Sequence, residues 1–129
     1  MENINIIGLY FAINTIIILG LSFNVIRLRV ANKVSLGDGG NENLLRAIRA
    51  QGNATEYIPM AMIGLLILNF LGAPIWAIHI SGALITLGRI SHCYGLINFK
   101  GVSIFRFLGQ FATFTCLIWD VIFCIYSAL

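Results

Sequence analysis

Long apolar stretches separated by short polar segments make up most of this chain. A helix needs roughly 20 residues to cross a bilayer core of about 30 Å. Four stretches approach that length: residues 4–26, residues 58–71 with the polar stretch before them, residues 75–99 and residues 107–129. They predict an all-α, up-down-up-down bundle of four transmembrane helices in a single domain over residues 1–129. The predicted helices cover residues 4–27, 43–70, 75–97 and 105–128.

Composition points to lipid as the main solvent of the chain. The 129 residues are 59% hydrophobic and only 10% charged, and the mean hydropathy is +0.92. A soluble domain carries about a quarter charged residues, so this chain has more apolar sequence than one such core can bury. The first stretch begins Met1-Glu2-Asn3. This start is not basic, and no small-residue cleavage site follows, so we expect the first helix to be retained.

The basic residues predict the orientation of the helices. Five flank the first loop and three lie in or beside the third: Arg27, Arg29, Lys33, Arg46 and Arg49, then Arg89, Lys100 and Arg106. Basic residues favour the cytoplasmic side. Loops 28–42 and 98–104 are therefore expected in the cytoplasm, and both termini outside. The net charge of +3 then reflects topology and site chemistry, and no nucleic-acid partner is expected.

The cysteines and the glycine-rich loop predict no further chemistry. Cys93, Cys116 and Cys124 all fall inside predicted spans, which favours free, packed thiols, and their spacing fits no metal site. The segment Gly37–Asn41 lacks the lysine and the preceding strand of a phosphate-binding loop, so we interpret it as a turn.

A polar stripe lies at the start of the second predicted helix. Arg46, Arg49, Asn53 and Glu56 follow one another at spacings of three, four and three residues, which places them on one helix face. Charged groups at the mouth of a membrane helix need a partner or a polar ligand. Arg46 is equally compatible with snorkelling to lipid headgroups. Tyr57 either contributes to the site or marks the interfacial zone.

The third and fourth helices carry polar residues at the same end. Arg89 and His92 lie one turn apart on the third helix, and Arg106 opens the fourth. Two interpretations of Arg89 stay open: a structural ion pair with Glu56 between helices, or a place in a ligand site. His92 is likewise compatible with packing or with chemistry, and Arg106 with snorkelling or with chemistry.

Two segments of this sequence resemble a known family. Residues 49–59, Arg-Ala-Gln-Gly-Asn-Ala-Thr-Glu-Tyr-Ile-Pro, are similar to the second-helix motif of the MAPEG family, the membrane-associated proteins of eicosanoid and glutathione metabolism. Residues 88–96, Gly-Arg-Ile-Ser-His-Cys-Tyr-Gly-Leu, resemble its arginine-bearing third helix. Length, four spans and a basic first loop agree with the family.

The resemblance implies a homotrimer in the membrane that binds glutathione between subunits near the cytoplasmic face. The implied glutathione-binding residues are Arg29, Arg46, Arg49, Asn53, Glu56, Tyr57, Arg89 and His92. Glutathione has two carboxylates and one ammonium, which suits several arginines and one acid. A family transferase directs the glutathione thiolate at a lipophilic electrophile, so glutathione is expected as co-substrate and an apolar small molecule and membrane lipid as further partners.

Two positions depart from the family pattern. Leu96 stands where the eicosanoid enzymes have a tyrosine, and Ser103 aligns nearest to the arginine that is assigned to the thiolate. We expect Arg106, three residues later, to supply the catalytic cation instead. Two alternatives to a glutathione transferase or peroxidase stay open. One is a non-catalytic MAPEG-fold protein that binds glutathione or lipid; the other is a small transporter that uses Glu56 as its coupling acid.

One acid is not explained by the family motif. Asp120 lies in the fourth predicted helix, roughly two turns from its outer end, where no basic residue is expected. His79 of the third helix is the ionisable group at comparable depth. We expect either a hydrogen bond between these two side chains or a protonated Asp120.

Overall fold

Four long helices form the protein. The computed structural model describes residues 3–129 and contains α1 (Ile4–Asn32), α2 (Glu42–Phe70), α3 (Ile75–Asn98) and α4 (Ile104–Ala128). This confirms the predicted all-α bundle, since the described residues contain no β-strand. The first helix extends to Asn32 rather than to residue 27 and ends where Lys33 adopts a left-handed conformation with φ 55°.

Local signals in the sequence explain where the other helices begin. The Asn41 side chain accepts a hydrogen bond of 3.0 Å from the Leu44 backbone N–H, which caps the start of α2. The Ser103 hydroxyl accepts one of 3.3 Å from the Arg106 backbone N–H at the start of α4. Between α2 and α3, Gly72 has a φ of 76°, which a side chain disfavours. Three short connections thus hold the helices against one another.

The helices differ in how much of their surface they bury. α2 and α3 supply most of the buried residues, and α2 contacts all three other helices, whereas α1 and α4 do not pack against each other within residues 3–129. Fully buried alanines such as Ala50, Ala54 and Ala61 let α2 approach its neighbours closely. The peripheral helices α1 and α4 therefore keep broad apolar surfaces exposed.

Two of the four helices are long and apolar enough to be candidate membrane spans. They are α1, with a mean hydropathy of 2.1, and α4, with 1.7. The inner helices α2 and α3 fall short of this test, because α2 begins with the polar stripe and α3 carries several polar side chains. Burial in the bundle accommodates polar groups of α3, among them Ser81, Thr86 and Arg89.

Candidate functional site

A completely buried guanidinium lies at the centre of the candidate site. Arg89 is 0% exposed. Its Nη2 donates to the Gly109 carbonyl at 3.3 Å and to Oε1 of Gln110 at 3.2 Å, both on α4. Nε and Nη1 have no hydrogen-bond partner among the described residues. A buried cation normally has its donors satisfied, so these two nitrogens, with three N–H bonds between them, are available to an anion.

The ring of Tyr57 supports this guanidinium from α2. The Arg89 guanidinium carbon lies 5.1 Å from the ring centroid, which is a cation–π contact. The Tyr57 ring also packs edge-to-face with the ring of Phe114 from α4, with centroids 5.9 Å apart. The site is therefore built from three helices. The predicted grouping of Tyr57 with Arg89 agrees with this arrangement.

No ion pair joins Arg89 to Glu56, so the expected pairing of these two side chains was wrong. Glu56 is exposed, and within residues 3–129 the ion pair that does form joins Lys100 to Glu42 at 3.6 Å on the surface. The reason is angular: Tyr57 points from α2 into the bundle, whereas Glu56, one position earlier, is rotated away by about 100°.

Close packing of α3 on α4 fixes the position of Arg89 and His92. A β-carbon on Gly109 would overlap the His92 backbone nitrogen and the Gly88 carbonyl oxygen. Because glycine is the residue that permits this approach, it brings the α4 backbone within reach of the Arg89 side chain. His92 is 6% exposed, and its Nδ1 has no partner among the described residues. The site thus holds a second unsatisfied polar group.

The predicted stripe on α2 is fully or partly exposed in one chain. Arg49 and Glu56 are exposed, and within residues 3–129 neither side chain forms a hydrogen bond or an ion pair. The Asn53 amide donates to the Arg49 carbonyl at 2.8 Å, and Arg46 donates to the Asn43 side chain at 2.7 Å. One chain therefore leaves an opposite pair of charges free on the same side of α2.

The other basic residues lie at the loops. Arg29 donates to the Gly37 carbonyl at 2.8 Å, and Arg106 donates through Nη1 to the Gly101 carbonyl at 2.7 Å. Ser103 serves as the helix cap described above, and Leu96 is buried. In this conformation the Arg106 guanidinium contacts the third loop.

Asp120 has different partners from the one expected. Its Oδ1 accepts a hydrogen bond of 2.7 Å from the Ser81 hydroxyl, and the Cys116 thiol lies 3.9 Å from Oδ2. His79 instead contacts the Tyr10 hydroxyl through Nδ1 at 2.9 Å. The hypothesis of an Asp120–His79 hydrogen bond was therefore wrong. Sequence reasoning missed Ser81 as the partner of Asp120. The sequence did contain a signal for Cys116, because a spacing of four residues places Cys116 and Asp120 on one face of α4.

Comparison with known proteins identifies the family. The MAPEG family matches residues 7–126, which is nearly the whole chain. This chain belongs to the MAPEG family. Two relatives named inner membrane protein YecN, from Escherichia coli strain K12 and from E. coli O6:H1, are each 42% identical to it over 88 residues, which are 68% of this chain and 67% of theirs. No solved structure shows significant similarity.

Membership in the MAPEG family confirms the resemblance of the two motif segments, and the chain is a membrane protein of this family. Both segments lie within the matched residues, and the structure places one beside the other: residues 49–59 supply Tyr57, and residues 88–96 supply Arg89 and His92. The buried guanidinium is therefore where the two family segments meet.

Proposed function

We propose that this MAPEG protein is an integral membrane glutathione transferase or peroxidase that acts on an apolar electrophile. The observation that carries the proposal is the fully buried Arg89 guanidinium, which has two free donors and no carboxylate partner in the described chain. Such a cation favours an anionic ligand that completes its hydrogen bonds. In this proposal all four helices cross the membrane, with loops 28–42 and 98–104 cytoplasmic.

The charges of the α2 stripe support glutathione over a simpler anion. Arg49 suits one carboxylate of the tripeptide and Glu56 suits its ammonium, and both groups are exposed and unpaired within residues 3–129. Asn53 lies between them along α2, and Tyr57 follows Glu56 and contacts Arg89 of α3. An exposed pair on one subunit and a buried cation inside it suit a ligand held between neighbouring subunits, so we include the homotrimer in the proposal.

The proposed reaction places the thiolate of glutathione near a cation. A free thiol has a pKa of about 8.5, so a positive group must stabilise the thiolate at neutral pH. Arg106 is the proposed catalytic cation, with Arg89 and His92 binding the tripeptide beside it. The thiolate sulfur then forms a bond to the electrophilic carbon of a substrate that enters from the lipid. In a substitution the leaving group departs with the electron pair of the bond that breaks at that carbon, and in an addition the carbon–carbon π bond breaks and its other carbon takes up a proton.

A non-catalytic glutathione-binding protein is the second candidate function. The observation that favours it is the position of Arg106, which is engaged by the Gly101 carbonyl, while Ser103 caps α4. The small transporter has weaker support, because the charges lie near one end of the bundle, whereas transporters bind near the midplane.

Calorimetry with glutathione on the purified protein tests the proposal. We expect binding, and we expect Glu56→Gln and Arg49→Gln each to weaken it, whereas Glu42→Gln, an acid that pairs with Lys100 at the surface, leaves it unchanged. Absence of glutathione binding to the wild-type protein would reject both candidate functions.

Ultraviolet absorbance of the bound thiolate distinguishes the two candidates. An active transferase shows thiolate at pH 7 and conjugates a generic electrophile, and Arg106→Ala removes both while glutathione still binds. Binding without thiolate favours the non-catalytic protein. Native mass spectrometry in mild detergent tests the trimer, and monomers alone would argue against a site between subunits.

A further inference from the structure

An apolar cavity lies between α2 and α4, away from Arg89. Its volume is about 430 Å³, within the range of small-molecule sites. Apolar side chains line it almost completely, among them Met60, Ile63 and Ile67 from α2 and Leu117, Val121 and Ile125 from α4. Asp120, Gly64 and Cys124 complete the lining. The cavity therefore combines a long apolar surface with one acid.

The carboxylate of Asp120 is only half satisfied by the protein. Asp120 is 5% exposed, and Oδ1 accepts the strong hydrogen bond from Ser81. Oδ2 has the Cys116 thiol as its hydrogen-bond partner, at 3.9 Å, and a thiol is a weak donor. A β-carbon on Gly64 would lie 2.5 Å from Oδ2, so the missing side chain at Gly64 leaves room for this oxygen at the cavity wall.

The described chain supplies no cation for this oxygen. Asp120 forms no ion pair within residues 3–129. The basic residue of α4 is Arg106, 14 positions earlier, which corresponds to about 21 Å of helical rise. His79 is engaged by Tyr10. An ionised Asp120 therefore lacks a positive partner within residues 3–129.

We propose that this cavity binds a lipophilic ammonium ion, such as a long-chain alkylamine. The alkyl chain packs against the lining of α2 and α4, and the ammonium donates a charge-assisted hydrogen bond to Oδ2 of Asp120. Charge complementarity decides for this occupant, because a neutral acyl chain or an apolar helix of a second copy would leave Oδ2 without a strong donor. The site is independent of the proposed glutathione site.

The two tryptophans of the chain provide a built-in probe. Trp119 directly precedes Asp120 in α4. The ring of Trp76 packs on the ring of Trp119, with centroids 5.9 Å apart. Dodecylamine is cationic at pH 7, and dodecanol is a neutral molecule of matched length. Tryptophan fluorescence of the protein in nanodiscs of zwitterionic lipid measures the binding of dodecylamine and of dodecanol. Dodecylamine should bind saturably and at least tenfold more tightly than dodecanol.

Asp120→Asn keeps an acceptor for Ser81 and removes the charge, so it should abolish the preference for the amine. Asp38→Asn, the same change in the first loop, is the matched control and should keep that preference. Ile67→Phe fills the cavity from a position that is 42% exposed and leaves Asp120 in place. It should weaken dodecylamine binding even if Asp120→Asn fails to fold.

Three results would overturn the proposal. The first is equal binding of dodecylamine and dodecanol, which would indicate a site for neutral chains. The second is the absence of saturable binding, as expected if a second copy of the chain covers the cavity. The third is unchanged amine binding in both Asp120→Asn and Ile67→Phe. Glutathione calorimetry on the same samples is expected to be unaffected, so failure here is distinct from failure of the proposed transferase.

Discussion

The two buried charges of this protein, Arg89 and Asp120, are held in different ways. Arg89 lies where the backbones of α3 and α4 approach at Gly109, and its partners are a carbonyl, an amide oxygen and an aromatic ring. Asp120 lies against Gly64 and accepts from the Ser81 hydroxyl. Neither has an oppositely charged partner within residues 3–129. One charge is fixed by backbone packing, and the other by side chains that can adjust.

The difference teaches what each region is suited to do. Removing two charges from water is expensive, so buried charges are normally paired or strongly hydrogen-bonded. At Arg89 the rigid surroundings favour a ligand of defined shape, consistent with the proposed tripeptide. At Asp120 the adjustable apolar surroundings suit the proposed lipophilic ammonium ions, which share a charged group but differ in their chains.

The largest effect is expected from Arg89→Met on glutathione binding. Losing one partner of a buried, hydrogen-bonded charge pair costs about 2–5 kcal/mol, so we expect binding to fall by that amount in calorimetry. The change also leaves Oε1 of Gln110 without its donor, so we expect a loss of folding stability of about 1–3 kcal/mol beside the loss of binding. Arg27→Met, an exposed arginine of α1, is the control and should bind normally. Normal binding by Arg89→Met would remove the basis of the proposed site.

The second prediction compares the glycines beside the two charges. Gly109→Ala should destabilise the fold by about 1–3 kcal/mol, because the new methyl group meets backbone atoms that cannot move independently. Gly64→Ala should cost less, since it meets the carboxylate end of Asp120. Gly8→Ala, which has no atom within 4 Å, is the control. Unfolding in mixed SDS micelles measures all three, and a larger loss at Gly64 would reverse the comparison.

The third prediction concerns the aromatic support of Arg89. Tyr57→Leu removes the ring beneath the guanidinium and should cost about 0.5–2 kcal/mol of stability or glutathione affinity. Tyr57→Phe keeps the ring and should retain most of both. If the phenylalanine variant lost as much as the leucine variant, the hydroxyl and not the cation–π contact would be the important feature. The same SDS titration and calorimetry decide between them.

The smallest effect is expected at the exposed ion pair. Lys100 and Glu42 are 3.6 Å apart, and their side chains are 82% and 73% exposed. Exposed pairs contribute about 0–1 kcal/mol. Glu42→Gln should therefore change the free energy of unfolding by less than about 0.5 kcal/mol. A larger change would show that charge at the surface matters here as much as charge in the bundle.

The sequence alone determined the number and nature of the helices and the family. These features are local in the sequence: apolar stretches of membrane length, a turn at Leu71–Pro74 and helix caps at Asn41 and Ser103. The family motif at residues 49–59 is contiguous, so it too can be recognised without the tertiary structure. The end of α1 was placed too early because the predicted span stopped at the first basic residues, although the backbone remains helical through Arg29 to Asn32.

Only the tertiary structure decided which polar groups meet. Spacing placed Glu56 and Arg89 on chemically compatible faces, yet a rotation of about 100° per residue brings Tyr57 rather than Glu56 to Arg89. Likewise, depth along the helices suggested His79 for Asp120, whereas the packing of α3 on α4 presents Ser81. Periodicity gives the face of one helix, but the partner of a side chain depends on how two helices are rotated about their axes. That rotation is set by close contacts such as those at Gly88 and Gly109, which no single helix encodes.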